Sequence, residues 1–181
     1  MNKPYVTIYI VAGNEETIIE FVIKAHRNKF PNCIIHIYDN YSTDRTAEIA
    51  ESLGCIVHYF DSGGKHDNTI KKDIMNSCWK DATTDWVWVS DCDEIGGITQ
   101  DELKHEESLG YNVIKFETWN MMNKSDDVNL NKMRYGFRDH AYLGNTGDMN
   151  PYDKWWLFNK KHVNLLVWKA NLKFYYFCLL K

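Results

Sequence analysis

The stretch WVWVSDCDE, residues 86–94, joins an apolar run directly to three carboxylates within four positions. The run from Trp86 to Val89 is typical of a buried strand. Carboxylates are costly to bury without a partner, so those that follow a core strand indicate either a bound cation or a solvated turn. Mg²⁺ and Mn²⁺ prefer oxygen ligands, and we therefore predict a divalent-cation site at Asp91 and Asp93. A solvated turn at the end of the strand is the alternative.

Short apolar runs alternate with helical patterns along the first half of the chain. Asn14 is the expected N-cap of the first helix, and Gly54 is the residue expected to end the second. This alternation predicts an α/β fold, with a Rossmann-like, mainly parallel central sheet and helices on both faces. The predicted strands are 5–12, 33–38, 55–60 and 85–90, and the predicted helices are 15–30, 45–53 and 68–82.

Polar loops follow three of these strands. They are Gly13-Asn14-Glu15, Asp39-Asn40-Tyr41 and Asp91-Cys92-Asp93. In parallel sheets, ligands bind beyond the carboxyl ends of the strands, near the point where the strand order reverses. All three loops lie at that end, so a shared binding edge explains their polarity better than three separate solvated turns.

The second half of the chain is less regular. A charged helix is predicted at 100–108, with Thr99 as its N-cap. Residues 120–150 are rich in Asn, Asp and Gly and are predicted to form a long loop, which in a compact domain is functional or mobile. Strands are predicted at 111–118, 155–158, 163–168 and 172–180, the last being a core strand, a partner surface or a membrane-surface patch.

Composition is that of an ordinary globular domain. Of the 181 residues, 44% are hydrophobic and 25% are charged. The net charge of −4 argues against nucleic acid as a partner. The five cysteines are scattered without a CxxC pair, so neither a disulfide framework nor a structural zinc site is expected. No signal peptide or long apolar run is visible, which predicts a cytoplasmic protein, with residues 172–181 as a candidate contact to a membrane surface or a partner domain.

Three motifs, in this order, resemble those of the inverting family 2 glycosyltransferases, which are nucleotide-diphospho-sugar transferases with a GT-A fold. Residues 11–16 (VAGNEE) resemble the opening strand and loop of the family, 39–46 (DNYSTDRT) its D-x-S-x-D-x-T segment, and 90–94 (SDCDE) its D-x-D metal motif. The resemblance implies a single GT-A-like domain, in which residues 1–98 form the nucleotide-sugar-binding half and 99–181 the acceptor-side half.

The resemblance also implies roles for single residues. Asp39 would accept a hydrogen bond from the base, usually uracil, whose ring N–H needs an acceptor. A basic residue of the third helix would lie near the phosphates, and both Lys71 and Lys72 match that position. Asp93 would ligate the Mn²⁺ or Mg²⁺ ion that bridges the diphosphate, and Asp91 would lie near the ribose or a metal-bound water. The residues assigned to nucleotide-sugar binding are Ala12, Asn14, Glu15, Asp39, Lys72, Asp91 and Cys92.

The implied activity is metal-dependent transfer of a sugar to a glycan, lipid or protein acceptor. The expected donor is a UDP-sugar. A carboxylate later in the chain would take the proton of the acceptor hydroxyl, and Asp139 and Asp153 are the candidates. Two alternatives remain. A haloacid dehalogenase-like phosphatase would use Asp91 as its nucleophile, although its D-x-D motif belongs on the first strand. A non-catalytic carbohydrate-binding module would bind no nucleotide in a metal-dependent way.

Overall fold

The computed structural model of the chain describes residues 3–63, 67–122, 134–138, 154–162 and 172–180. Strands and helices alternate in the first half, as predicted. The strands are β1 (Val6–Ala12), β2 (Ile34–Asp39), β3 (Ile56–Tyr59) and β4 (Trp86–Asp91), and the helices are α1 (Ile19–Lys29), α2 (Thr46–Ser52) and α3 (Asn68–Ser77).

The second half adds one helix and five strands in the described residues. Helix α4 has the predicted bounds, and Thr99 caps it in a reciprocal capping box with Glu102. The elements are β5 (Glu94–Gly96), α4 (Gln100–Ser108), β6 (Val113–Met122), β7 (Arg134–Arg138), β8 (Lys154–Asn159) and β9 (Leu172–Leu180).

One sheet contains all nine strands of the described residues, in the order β3-β2-β1-β4-β8-β6-β9-β5, with β7 paired to β6. Strands β3, β2, β1 and β4 are mutually parallel, and β8 joins β4 in the antiparallel direction. The order reverses between β1 and β4, because the chain first builds outward to β3 and then returns to the other side of β1. The carboxyl ends of β1 and β4 therefore form the topological switch point, where a ligand is expected.

Hydrophobic side chains on the two faces of the sheet form two clusters, so helices cover both faces as predicted. Residues of α1 and α4, among them Val22 and Leu103, pack on one face with Trp88. Met75 of α3 packs on the other face with Tyr9 and Val87. The fully buried ring of Trp88 lies so close to Gly96 that a Cβ atom there would overlap it, and this contact fixes β5 beneath the end of β4.

Three local predictions are wrong. Asn14 does not cap α1, which begins after Ile18 without a side-chain cap, because the Asn14 amide is used to join two loops. Helix α3 ends at Ser77 instead of continuing to residue 82. The predicted loop at 120–150 contains β7, which is ordered by pairing with β6 across the sheet. The predicted strand at 163–168 lies outside the described residues.

Other predictions are confirmed. Gly54 ends α2 with a φ of 72°, a left-handed conformation that glycine adopts without strain. The segment 172–180 forms a strand, β9, between β6 and β5. No helix in the described part of the chain combines the length and the apolar character that a membrane span requires.

Candidate functional site

A cavity of about 580 Å³ opens at the carboxyl ends of β1, β2, β3 and β4. Polar loops that follow these strands form its walls, together with the start of α3, so it lies at the switch point between β1 and β4. The cavity is large enough for a small-molecule ligand. The charged side chains that line it are Glu15, Asp67, Lys71, Asp91 and Asp93.

Three carboxylates converge where β4 ends. Oxygen atoms of Asp91, Asp93 and Glu94 lie within 4.8 Å of one another. Glu94 is fully buried and accepts a hydrogen bond from the backbone N–H of Asp91, at 2.9 Å, which holds the turn between β4 and β5. Asp91 and Asp93 line the cavity. This set of hard oxygen donors fits a Mg²⁺ or Mn²⁺ ion, with Asp91 and Asp93 as ligands and Glu94 as the brace of the turn.

The negative charge of this cluster extends to the loop after β1. The pKa of Glu15 is raised, first by burial and then by the charges of Asp93, Asp44 and Asp91. Such a concentration of carboxylates in one partly buried place is typical of a site that receives a cation. Cys92, between the two aspartates, is almost fully buried and packs in the core, as predicted for a small apolar residue.

Lys71 supplies the positive charge that faces these carboxylates. Its Nζ lies 2.7 Å from Oδ1 of Asp91, and each of the two side chains is 22% exposed. Lys71 belongs to the first turn of α3, whose N-cap Asp67 also lines the cavity and accepts hydrogen bonds from the backbone N–H groups of Thr69 and Ile70. The first turn of α3 is thereby held at the cavity wall, with its lysine directed toward the end of β4.

Side chains at the end of β2 hold the opposite wall. Asp39 is fully buried, and its two carboxylate oxygens accept hydrogen bonds from the backbone N–H and the hydroxyl of Ser42, at 2.8 and 2.5 Å. Asn14 accepts from the backbone N–H of Thr43 at 2.8 Å, and its own N–H donates to Ser42 Oγ. The loops after β1 and β2 are therefore joined directly.

Comparison with known proteins gives a family for this half of the chain. Residues 7–95 match the model of the family described as Glycosyl transferase family 2. The chain carries a family 2 glycosyltransferase domain. The match ends at Ile95, directly after the Asp91–Glu94 cluster, so it includes every strand that contributes a wall of the cavity.

One curated relative and two solved structures are similar to this family 2 domain. Protein RfbJ of Shigella flexneri is 37% identical over 60 residues, which are 33% of this chain and 46% of that protein. S. aureus TarS is 13% identical with a TM-score of 0.52, over 67% of this chain and 23% of TarS. The 1–349 fragment of TarS in complex with UDP has the same identity and TM-score, over 69% of this chain and 38% of that fragment. The chain thus spans less than half the length of these proteins, and the likeness to TarS confirms the GT-A-like α/β fold.

Within the family 2 domain, the predicted binding residues fall into two groups. Ala12, Asn14, Glu15, Asp91, Cys92 and Asp93 all line the cavity. Asp39 and Lys72 are not among the described residues that line it. Lys71, the other lysine that matches the phosphate position, lines the cavity. The nucleotide-binding roles themselves stay predictions, and Asp139 and Asp153 lie outside the described residues.

Sequence reasoning missed the contribution of β3 to the family 2 site. Phe60 and Ser62, which follow β3, line the cavity, and Ser62 exchanges hydrogen bonds with the side chain of Asn40 at 2.7 and 3.1 Å. Tyr41 also lines it, with a φ of 43° and a ring stacked on Tyr59. These contacts depend on the register of β2 with β3, which brings together residues about twenty positions apart and leaves no local signal in the sequence.

Proposed function

We propose that the chain is a metal-dependent glycosyltransferase that transfers a sugar from a nucleoside-diphosphate donor to a glycan, lipid or protein acceptor. A UDP-sugar is the donor we propose. The observation that carries the proposal is the cavity at the switch point, which has Asp91, Asp93 and Lys71 at one end. The family match supports a transferase over the phosphatase and the non-catalytic module.

The shape of the cavity suits a nucleoside diphosphate. Its walls run from the end of β4 across β1 and β2 to β3, which is three strand spacings, or about 14 Å. Charged groups gather at the β4 end, whereas Asn40, Tyr41 and Phe60 form the β2–β3 end. A donor would therefore lie with its diphosphate near Asp93 and its base near Tyr41. UDP, which is bound in the TarS complex, has this division into a charged and a flat end.

In this proposal, different residues of the cavity bind the donor and stabilise the charge of the departing diphosphate. Asp91 and Asp93 would hold the cation, which, when bound, supplies Lewis-acid stabilisation of the departing diphosphate. Lys71 would contribute positive charge to the same phosphates from the first turn of α3. Asp39 would orient the base, either by a direct hydrogen bond or through Ser42, to which both of its carboxylate oxygens are bonded.

Proton removal from the acceptor is assigned to the second half of the chain. A carboxylate must take the proton of the attacking hydroxyl, and Asp139 or Asp153 would serve as that base. We place the acceptor beside residues 99–181, and we assign a cytoplasmic protein with the segment 172–181 as a contact to a membrane surface or a partner domain.

Calorimetric titration with UDP tests the proposal. The wild type is expected to bind UDP more tightly with Mn²⁺ than without it. Changing groups that merely support metal ligands costs about 10–100-fold in affinity, so Asp93→Ala should weaken Mn²⁺-dependent binding at least about 100-fold. The control is Asp73→Asn, which removes an exposed carboxylate from α3 away from the cavity. Metal-independent binding in the wild type, or unchanged binding in Asp93→Ala, would overturn the proposal.

A further inference from the structure

Lys71 is the one cationic side chain among the described residues that line the cavity, and it pairs with a residue assigned to the metal. Its Nζ contacts Oδ1 of Asp91 at 2.7 Å, an ion pair between two partly buried groups. The ammonium group therefore occupies one oxygen of the cluster, Oδ1 of Asp91, through which a cation could otherwise be bound.

An ammonium group and a divalent cation compete for this oxygen. Both need close contact with the carboxylate, and the two positive charges repel each other strongly over a few ångströms in a partly buried site. A cation that is ligated through this Oδ1 atom therefore requires the Lys71 side chain to move away. Leaving Asp91 costs Lys71 an ion pair, unless the ammonium group finds another anion within reach.

The position of Lys71 allows this exchange without a change of fold. The residue lies in the first turn of α3, which is fixed by the Asp67 cap, so the backbone stays in place while four side-chain torsions redirect the ammonium group. The same cavity receives the diphosphate in the proposed function. A bound diphosphate would give Lys71 a new anionic partner a short distance from the old one.

We infer that Lys71 is an exchangeable counter-ion, which pairs with Asp91 in the empty site and moves to the diphosphate when a metal ion takes Asp91. This inference rests on the proposed function. Its consequence is that metal and nucleotide each favour the binding of the other, because each removes part of the cost of releasing the Lys71–Asp91 pair. By linkage, the increase in Mn²⁺ affinity caused by UDP equals the increase in UDP affinity caused by Mn²⁺.

Mn²⁺ binding to the full chain without nucleotide is the sharpest test, measured from the electron paramagnetic resonance signal of free Mn²⁺. Lys71→Met removes the competing charge, so it should bind Mn²⁺ about tenfold more tightly than the wild type, a change of about 1.4 kcal/mol. Lys71→Gln should behave in the same way, and Lys71→Arg should stay close to the wild type. Lys80→Met is the charge-matched control, since it removes the same charge from an exposed position beyond the end of α3.

A second titration measures the coupling. UDP should raise the Mn²⁺ affinity of the wild type and of Lys80→Met, and this increase should shrink about tenfold in Lys71→Met, since the pair that UDP helps to release is gone. Thermal melts confirm that the variants are folded.

The outcomes separate two failures. Wild type that binds no UDP with Mn²⁺ overturns the proposed function. If the wild type binds UDP and Mn²⁺ but Lys71→Met and Lys71→Gln bind Mn²⁺ no more tightly than the wild type does, only the exchange of Lys71 is overturned. An equal gain in Lys80→Met would also overturn it, because the effect would then come from net charge and not from the pair with Asp91.

Discussion

Carboxylates at the two ends of strands β1 and β4 differ in the partners that surround them. At the amino end, Glu107 of α4 accepts hydrogen bonds from Tyr5 Oη, from Trp86 Nε1 at 2.9 Å and from Asn159 Nδ2 at 3.2 Å. At the carboxyl end, several carboxylates share a cavity in which Lys71 is the one described cationic side chain. Neutral donors satisfy Glu107 at the first end, whereas the described residues that line the cavity at the second end carry more negative than positive charge.

The difference separates carboxylates that hold the fold from those that the proposed function assigns to binding. Glu107 joins α4 to strands β4 and β8 and to Tyr5, the residue before β1, so its bonds close the amino end of the sheet. Asp91 and Asp93 instead lie close together at the cavity, where the proposed cation would offset their mutual repulsion. Asp39 is an instructive intermediate, because it lies at the carboxyl end but is paired with Ser42 as closely as Glu107 is with its donors.

Acid should lower the free energy of unfolding through the buried His26, which packs against Trp88 of β4. His26 of α1 is fully buried, edge-on to Trp88, and burial, helped by the charge of Lys29, lowers its pKa to about 4. Below pH 6.5 the unfolded chain takes up a proton that the folded chain refuses, so this contribution to stability falls as the pH drops toward 4. The loss should reach about 3 kcal/mol.

Urea denaturation between pH 4 and 7 measures this effect. The His26→Leu variant should lose about one proton from the pH dependence of its free energy of unfolding, while His105→Gln, an exposed change in α4, should keep the wild-type slope. A His26→Leu slope equal to that of the wild type would show that His26 does not supply this acid sensitivity.

Removing the carboxylate at the amino end should cost stability and leave binding intact. Glu107→Ala deprives the buried indole N–H of Trp86 of its acceptor, so the free energy of unfolding should fall by about 2–3 kcal/mol. Mn²⁺-dependent UDP affinity should stay within a factor of about two, since the site lies at the other end of β4. Asp101→Asn, at an exposed position of the same helix, is the control. Loss of UDP binding in folded Glu107→Ala would abolish the distinction between the two ends.

The smallest expected change in stability concerns Asp39, the carboxylate that is paired with Ser42. Ser42→Ala removes the hydroxyl that donates to Asp39 and accepts from the backbone N–H of Asn14. We expect a loss of about 1 kcal/mol in the free energy of unfolding, with a decrease in UDP affinity, because the loops after β1 and β2 lose a connection. Ser52→Ala, on the exposed side of α2, provides the comparison. Wild-type UDP affinity in Ser42→Ala would limit the Ser42–Asp39 pair to stability.

Local patterns were sufficient for much of the fold. The bounds of α4 and its Thr99 cap follow from charge and capping residues, and the 172–180 strand follows from its aromatic and aliphatic run. Strands β5 and β7 could not be predicted in the same way. Each is ordered by a partner strand distant in sequence, β9 for one and β6 for the other, so their pairing energy is invisible locally.

The same limit applies to the site. Asp91 and Asp93 are evident from the sequence because an apolar strand ends in them, and the polarity of the other loops places the cavity at the correct edge. Nothing local distinguishes Lys71 from Lys72, since adjacent helical residues differ by about 100° in direction and only the packing of α3 decides which one faces β4. The second use of Asn14, as a link to Thr43, likewise depends on the approach of two loops.

The most direct test of the contrast between the two ends is an amide ¹⁵N–¹H spectrum of the wild type, recorded with and without UDP and the diamagnetic ion Mg²⁺. Chemical-shift changes are predicted at the carboxyl end, in residues 13–15, 40–43 and 91–93, and the amides of Tyr5, Trp86 and Glu107 should stay in place. Changes concentrated at the amino end, or a spectrum unaffected by UDP with Mg²⁺, would contradict the assignment of this cavity as the donor site.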